Sequence, residues 1–265
     1  IGSPVIQSSG EKSYIIRIKY IDNIVHNLIM TKLAELNAGE AVNELRYETI
    51  GPTISETLKK NALLALGLAI VFIILFIAFA FRKIPKEIIN MYDFLRHSIA
   101  CSITARILAA HKNLPQTEQL FVSGLLHDLG RVLLFIYFPE DSLNILSYSR
   151  DSDKLLFEVE NEYLGCNHTD FGKHLMQHWN LPPTLENNIF YHHNPSAARH
   201  KIPATIVHLA DIIANGLGIG SSGERFVPPL DYKAWEHLGL ASNVLEVTVK
   251  KSIHQFNSLE TTIID

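Results

Sequence analysis

Gly124-Leu125-Leu126-His127-Asp128-Leu129-Gly130-Arg131 is the stretch of this 265-residue chain that decides how its fold is interpreted. An adjacent histidine and aspartate behind a short apolar run can bind a divalent transition metal through imidazole nitrogen and carboxylate oxygen. Of the thirteen histidines, only His26 precedes residue 90. We therefore expect a metal centre in the later part of the chain, built around His127 and Asp128.

Further candidate ligands lie in helical stretches on either side of this pair. The candidate ligands of a first ion are His97, His127, Asp128 and Asp211. One ion needs three or four protein ligands, so this set is sufficient. The carboxylate of Asp128 could also bridge to a second ion. The candidate ligands of that second ion are His168, His192 and His193. The sequence predicts iron, manganese or zinc, in a binuclear arrangement, or no metal if the site is a remnant.

The pair also has catalytic and structural interpretations. Arg131 lies about one helical turn beyond it and could bind a phosphate group through two hydrogen bonds. We predict Asp128 and Arg131 as the catalytic residues if the centre is enzymatic. In the structural alternative, His127 and Asp128 form a hydrogen-bonded pair at a helix end, and His97 donates to a carbonyl in a polar core.

Two other polar patterns favour exposed helix faces. His174 and His178 are spaced i,i+4, which would suit a metal pair on a helix, but a solvated face is the favoured interpretation. The acidic run Glu158-Val159-Glu160-Asn161-Glu162 is also interpreted as a solvated face. His208 is expected beside the ligands or at the surface.

Composition describes a globular chain with two unlike parts. It is 47% hydrophobic with a formal net charge of −4, and no block of like charge points to a nucleic-acid partner. Residues 1–86 contain ten Lys and Arg and seven Asp and Glu, which gives a net charge of +3. Residues 87–265 contain thirteen Lys and Arg and twenty Asp and Glu, which gives −7. Cys101 and Cys166 have no CxxC spacing and are expected to be reduced. The chain begins with Ile1 rather than Met, so we expect a fragment.

Residues 62–81 contain no polar side chain. Twenty helical residues span about 30 Å, which is the hydrocarbon thickness of a bilayer. We predict a transmembrane helix over residues 62–82, with lipid contact through residues 62–81; the alternative is a wholly buried helix. Basic residues flank both ends, so the positive-inside rule only slightly favours a cytoplasmic carboxyl-terminal side.

Hydrophobic periodicity divides the rest of the chain into a small α+β part and a long helical part. Residues 1–61 are predicted as α+β, with strands over 13–19 and 44–50 and a helix over 23–36. Residues 87–220 are predicted as an all-α domain, and residues 221–265 as a helical extension after a Gly/Ser/Pro-rich loop. The predicted helices cover residues 87–111, 117–127, 131–138, 155–164, 168–179, 184–193, 203–217, 232–238 and 242–256.

Residues 1–86 resemble part of the SecD/SecF family of preprotein translocase subunits, on the SecF side. The segments that carry this resemblance are Tyr14-Ile15-Ile16-Arg17, residues 48–58, and the apolar helix that ends at Phe81-Arg82-Lys83. The resemblance implies the tail of an extracytoplasmic domain followed by a helix that runs from outside to inside. It places the chain in the inner (cytoplasmic) membrane with residues 83–265 in the cytoplasm. The remaining membrane helices of a translocase do not follow.

Residues 92–217 resemble the HD superfamily, and most closely the HDOD output domain. The matching segments are Arg96-His97-Ser98, residues 121–131, residues 165–172, residues 179–182, Tyr191-His192-His193 and residues 207–211. HDOD domains are relatives of the HD-GYP phosphodiesterases that cleave cyclic di-GMP, and they generally act as signalling or regulatory modules. The resemblance implies an all-α fold, a His/Asp metal site, protein signalling partners and a nucleotide or phosphoester ligand.

The chain departs from the enzymatic relatives at two places. They have Lys where Arg131 stands, and they follow the paired histidines with an acidic residue and a Gly-Tyr-Pro segment, whereas this chain reads His192-His193-Asn194-Pro195. The leading hypothesis is therefore a membrane-tethered, non-catalytic signalling module. The alternatives are a metal-dependent phosphohydrolase or phosphodiesterase and a fragment of a protein-export subunit.

Overall fold

The chain forms two compact units, residues Ile1–Leu75 and Phe76–Asp265. A computed structural model describes residues 5–10, 13–17, 23–37, 42 and 84–264. The predicted strand over 44–50 and the predicted membrane span over 62–81 lie outside the described residues.

The described part of the first unit contains a hairpin and a helix. Strand β1 (Val5–Gly10) pairs antiparallel with β2 (Ser13–Arg17), and an irregularity in the register lies between Ser8 and Gly10. Helix α1 covers Asn23–Leu36. The structure confirms the strand beginning at residue 13 and the helix over 23–36, and it adds β1, which lacks the β-branched alternation that marks β2.

The described residues of the second unit are helical, as the sequence predicts. The helices are α2 (Met91–His111), α3 (Thr117–Leu126), α4 (Leu129–Tyr137), α5 (Pro139–Ser152), α6 (Leu156–Leu164), α7 (His168–His178), α8 (Pro183–Phe190), α9 (Lys201–Leu217), α10 (Tyr232–Leu238) and α11 (Asn243–Ile264). A short 3-10 helix covers Pro195–Ala197.

Helix α2 is the central helix of this unit and packs against α3, α9 and α11. It begins at Asn90, whose side chain accepts a hydrogen bond from the Tyr92 amide and so satisfies a free donor of the first turn. Residues such as Cys101, Ala105 and Leu108 are fully buried. The apolar core around α2 therefore fixes the position of any polar side chain that α2 carries inward.

Among the described residues, one helical stretch has the length and composition of a membrane span, Thr117–Tyr137. Two thirds of its apolar window (67%) is buried inside the protein, because α3 and α4 pack in the core. Its apolar character is therefore that of a core helix pair.

The structure differs from the sequence prediction most clearly in three helices, and α2 also begins at Met91 rather than at residue 87. Helix α5 was not predicted, because Pro139 was interpreted as a stop, whereas a proline suits the first turn of a helix. Helix α8 ends at Phe190, so His192 and His193 lie in the turn after it rather than in a helix. Helix α11 continues to Ile264, beyond the predicted end at residue 256.

Candidate metal centre

The candidate ligands of the first ion come together from three parts of the second unit. His97 lies in α2, His127 and Asp128 lie in the turn between α3 and α4, and Asp211 lies in α9. Nε2 of His97 is 3.1 Å from Oδ1 of Asp211 and 3.4 Å from Nε2 of His127. Nε2 of His127 is 3.2 Å from Oδ2 of Asp128. We call these four residues group 1; at most 5% of any of their side chains is exposed.

The other three histidines meet at the second carboxylate oxygen of Asp128. His168 is the first residue of α7, and His192 and His193 lie in the turn after α8. Nε2 of His168 is 3.1 Å from Oδ1 of Asp128, 3.4 Å from Nε2 of His192 and 3.1 Å from Nε2 of His193. We call Asp128 and these three histidines group 2. Asp128 therefore belongs to both groups, with Oδ2 in group 1 and Oδ1 in group 2.

The start of α7 is fixed by a reciprocal capping arrangement. The Asn167 side chain accepts a hydrogen bond from the Thr169 amide at 2.7 Å, and the Asp170 carboxylate accepts one from the Asn167 amide at 3.0 Å. Because His168 lies between the two caps, its backbone is held at the first helical position. The Asn-x-x-Asp pattern of the sequence thus determines where His168 stands.

The donor atoms of both groups fit divalent transition metals. Around such an ion, with metal–nitrogen distances of about 2.0–2.1 Å, neighbouring ligand atoms lie about 3.0–3.4 Å apart. The closest Nε2 to carboxylate oxygen distances in the two groups are 3.1 and 3.2 Å, and others are 3.5 and 3.8 Å. The Nδ1 atoms of His127 and His192 lie 2.8 Å from the carbonyl of Gly124 and 2.7 Å from that of Ile189. Those bonds require a proton on Nδ1, which leaves the Nε2 lone pair free to bind a metal.

Two buried polar atoms at the centre make no well-directed hydrogen bond, Oδ1 of Asp128 and Nδ1 of His97, although Nε2 of His168 lies 3.1 Å from that oxygen. Such groups are rare in protein interiors and need an explanation. For Oδ1 of Asp128, a cation held by group 2 is the explanation that suits the three imidazoles around it. All seven predicted metal ligands are thus brought together, and their donor atoms could hold a divalent metal ion.

Arg131 is next to the centre, and its Nε and Nη1 atoms already have protein partners. Its guanidinium lies 3.3 Å from Oδ2 of Asp128, 3.2 Å from Oε1 of Glu160 and 2.6 Å from Oγ of Ser222. It is almost fully buried, with 1% of the residue exposed. A phosphate could bind Nε or Nη1 of Arg131 only by displacing these partners.

The interpretation of residues 158–162 as a solvated face was wrong for Glu160. This residue is buried, and Oε2 accepts hydrogen bonds from Nδ1 and from the backbone amide of His168, at 2.6 and 2.9 Å. A carboxylate at Nδ1 orients the ring and strengthens the basicity of Nε2 toward a metal. The signal was present in the sequence, because Leu156, Val159 and Glu160 follow the i, i+3, i+4 spacing of a buried helix face.

His208 has a supporting role that the sequence left open. Its Nδ1 donates to the carbonyl of His192 at 2.7 Å, and its Nε2 accepts from the Asp231 amide at 3.1 Å. It therefore connects the turn that carries two ligands to the start of α10. His174 and His178 are exposed, as predicted.

The charges of the centre shift the pKa values of its residues in opposite directions. Burial raises the pKa of Asp128, but Arg131 and His127 outweigh it and hold this pKa well below its usual range. Burial lowers the pKa of His127, but Asp128 outweighs it and leaves this pKa well above its ordinary value. Burial and the charges of His127 and His168 lower the pKa of His192 to about 3.

The stability of the metal-free protein is expected to peak near pH 6.5. His127 and His168 have raised pKa values, so their contribution is complete below the unfolded value of about 6.5 and is lost as the pH rises through the folded values. His192 and His193 have lowered pKa values, so their contribution to stability is present above about pH 6.5 and is lost as the pH falls through the folded values. In urea unfolding with a chelator present, the free energy of unfolding should fall by about 1 kcal/mol or more per pH unit on either side of pH 6.5. A flat profile between about pH 5.5 and 8 would contradict this assignment of charges.

Glu160→Gln is expected to weaken the binding of one ion and spare the other. The amide cannot accept from His168 as strongly as the carboxylate does, so group 2 loses affinity by about 10- to 100-fold while group 1 is unchanged. A titration with Zn²⁺ that resolves two binding steps measures this. Glu162→Gln, on the exposed face of the same helix, is the matched control. Equal weakening of both steps would contradict the prediction.

Comparison with known proteins identifies the family. The model of the HDOD domain family matches residues 54–195, which is just over half of the chain. A solved structure of an HDOD domain protein from Geobacter sulfurreducens has a TM-score of 0.56 and 19% identity, covering 64% of this chain and 62% of that one. A solved structure of a candidate signal transduction protein from Marinobacter aquaeolei VT8 has a TM-score of 0.54 and 20% identity, and the match covers 64% of this chain and 38% of that one.

The curated relatives match only in part. An uncharacterized protein of Treponema pallidum is 30% identical over 74 residues, which are 28% of this chain and 14% of that protein. The protein translocase subunit SecF of Anaerolinea thermophila is 23% identical over 180 residues, covering 62% of this chain and 52% of that protein. This chain therefore spans about half the length of these relatives, or less. With the helical fold and the match of the family model, the chain belongs to the HDOD domain family.

Proposed function

We propose that the second unit is a regulatory signalling module built around a two-ion metal centre. One observation carries this proposal: the two oxygens of Asp128 face different histidines, Oδ2 facing His127 and Oδ1 facing His168, and the seven side chains come from distant parts of the chain. Two ions held in this way would fix α2, the α3–α4 turn, α7, the turn after α8, and α9 relative to one another. The presence of metal would thereby set the conformation that a protein signalling partner recognises.

The surroundings of Arg131 favour a non-catalytic centre. Ser222 binds its guanidinium, and Gly220, two residues earlier, packs so closely on α2 that a Cβ atom there would lie 2.5 Å from the amide nitrogen of His97. The segment from Gly220 to Ser222 thus contacts both the arginine and a ligand-bearing helix. A phosphoester could reach Arg131 only after this segment had moved.

The donor set supports iron, manganese or zinc as the resident metal. By the contacts of its side chains, group 1 offers two imidazoles and two carboxylates. Group 2 offers three imidazoles and the shared carboxylate. When bound, such ions supply Lewis acidity and lower the pKa of a coordinated water. The protein's own part is to hold the ligands, to orient their Nε2 atoms, and to exclude solvent from group 1.

The proposal is tested by metal analysis together with an activity assay on the purified full chain. We expect two transition-metal ions per chain and no turnover of cyclic di-GMP or bis-p-nitrophenyl phosphate. Absence of bound metal, with no binding of added Mn²⁺, Fe²⁺ or Zn²⁺, would contradict the proposal. His127→Ala should lower the metal content without changing any activity.

A metal-dependent phosphohydrolase is the second candidate. The observation in its favour is that His193, unlike the other six ligands, is half-buried, so one edge of group 2 reaches solvent. Turnover of either phosphoester that disappears in His127→Ala would establish this function in place of the purely regulatory one.

We further propose that residues 62–81 tether the module to the inner membrane, with residues 83–265 in the cytoplasm. The apolar length of this segment and the partial likeness to SecF support the tether. Membrane fractionation of the full chain, with carbonate extraction, tests it: the chain should stay in the membrane pellet. Its release into the supernatant would contradict the tether.

A further inference from the structure

The two ligand groups differ in how closely the protein surrounds them. In group 1 all four side chains are almost inaccessible, with exposed fractions of 0–5%. In group 2, His168 and His192 are fully buried but His193 is half-buried. Among the seven ligands, His193 is therefore the one through which solvent meets the centre.

The ligands also differ in how they are held. His127 and His192 are fixed at Nδ1 by backbone carbonyls, His168 is fixed by Glu160, and Oδ1 of Asp211 accepts from the Asn215 side chain at 2.7 Å. Each of these partners belongs to a helix or to a helix end. Moving any of these ligands away would disturb the packing of a helix.

His193 is instead oriented by an aromatic contact. Its ring stacks on that of Phe157 in α6, with the ring centroids 4.3 Å apart and the planes 13° from parallel. It lies in a turn rather than in a helix. A stacking contact of this kind is weak compared with the packing of a helix. His193 can therefore rotate out of group 2 without movement of the core, and Phe157 opposes that rotation.

We propose that the centre holds one resident ion in group 1 and one exchangeable ion in group 2, which enters and leaves past His193 and Phe157. This inference rests on the proposed two-ion centre and names its regulation. The module would respond to the availability of the second ion while the first maintains the fold. Phe157 acts as a positioning residue, since it holds a ligand and does not touch the ion.

The test is the rate of Zn²⁺ release from the zinc-loaded full chain to an excess of a chromogenic chelator, 4-(2-pyridylazo)resorcinol. We expect two phases of equal amplitude whose rates differ at least about ten-fold. Phe157→Ala should accelerate the fast phase about five-fold and leave the slow phase unchanged. Phe157→Tyr, which retains the stack, should keep the original rate.

Phe171→Ala is the matched control, because Phe171 is also half-buried and contacts another aromatic ring, that of Phe138, in place of a ligand. His193→Ala should lose one ion and retain the other. Release of both ions in a single phase, or a fast phase that Phe157→Ala leaves unchanged, would overturn the inference. Failure of the proposed function itself looks different, because the chain would then bind no Zn²⁺ at all.

Discussion

Asp128→Asn is expected to remove both metal ions from the protein. Each oxygen of this carboxylate faces one ligand group: Oδ2 lies 3.2 Å from Nε2 of His127, and Oδ1 lies 3.1 Å from Nε2 of His168. An amide offers one neutral oxygen in place of two anionic ones, so one group loses its ligand atom and both groups lose the negative charge. Metal content by inductively coupled plasma mass spectrometry should fall from two ions to none.

Two further variants make this prediction specific. Asp211→Asn removes a carboxylate that only group 1 contains, so one ion should remain. Asp151→Asn alters an exposed aspartate and should retain both ions. If Asp128→Asn were to keep one ion at full affinity, Asp128 would not be shared between the groups.

The same substitution has a cost in stability. Arg131 is buried between Asp128 and Glu160, so the variant leaves this guanidinium with one carboxylate partner in place of two. Loss of a buried ion-pair partner costs about 3–5 kcal/mol when no other group compensates, and Glu160 and Ser222 should reduce that cost here. Circular dichroism of the metal-free variant is therefore needed to separate loss of a ligand from loss of the fold.

The sequence was sufficient to select the candidate ligands that the structure brings together, because their residue types are distinctive. An adjacent His-Asp pair and an adjacent His-His pair are uncommon combinations, and metal chemistry restricts what they can do. The expectation that these residues meet in three dimensions came from the family resemblance and not from the helical periodicity. Helical spacing alone predicted the elements but not which ligand joined which group.

The supporting residues were missed for physical reasons that differ between them. Glu160 lies between exposed acidic residues, so the charge pattern alone predicts that it is exposed as well. Its i,i+4 spacing from Leu156 nevertheless places it on the buried face of α6. Ser222 lies in a loop, where no periodicity indicates which side chain faces inward. Its contact with Arg131, 91 residues away, is a tertiary contact that no local pattern could predict.

Gly130→Ala is expected to disrupt the fold and the centre together. Gly130 follows the His-Asp pair in α4 and lies against the first turn of α7. A Cβ atom at this position would overlap the carbonyl oxygen of His168 and would lie 2.8 Å from the amide nitrogen of Gly172. Because both contacts are with backbone atoms, α4 and α7 would have to separate. We expect a loss of about 3 kcal/mol or more in the free energy of unfolding.

The substitution should also separate the ligands that these helices carry. Asp128 precedes α4 and His168 begins α7, so moving the two helices apart lengthens the contact between Oδ1 and Nε2 on which group 2 depends. In any folded fraction, we expect the ion of group 2 to be lost before that of group 1, which does not use α7. Gly216→Ala is the control, since no atom lies within 4 Å of the added Cβ. In helix α9 alanine should stabilise the protein by up to about 1 kcal/mol. The prediction would be contradicted if the Gly130→Ala protein unfolded at the wild-type urea concentration and retained both ions. Helices α4 and α7 would then have room for a Cβ atom at this position.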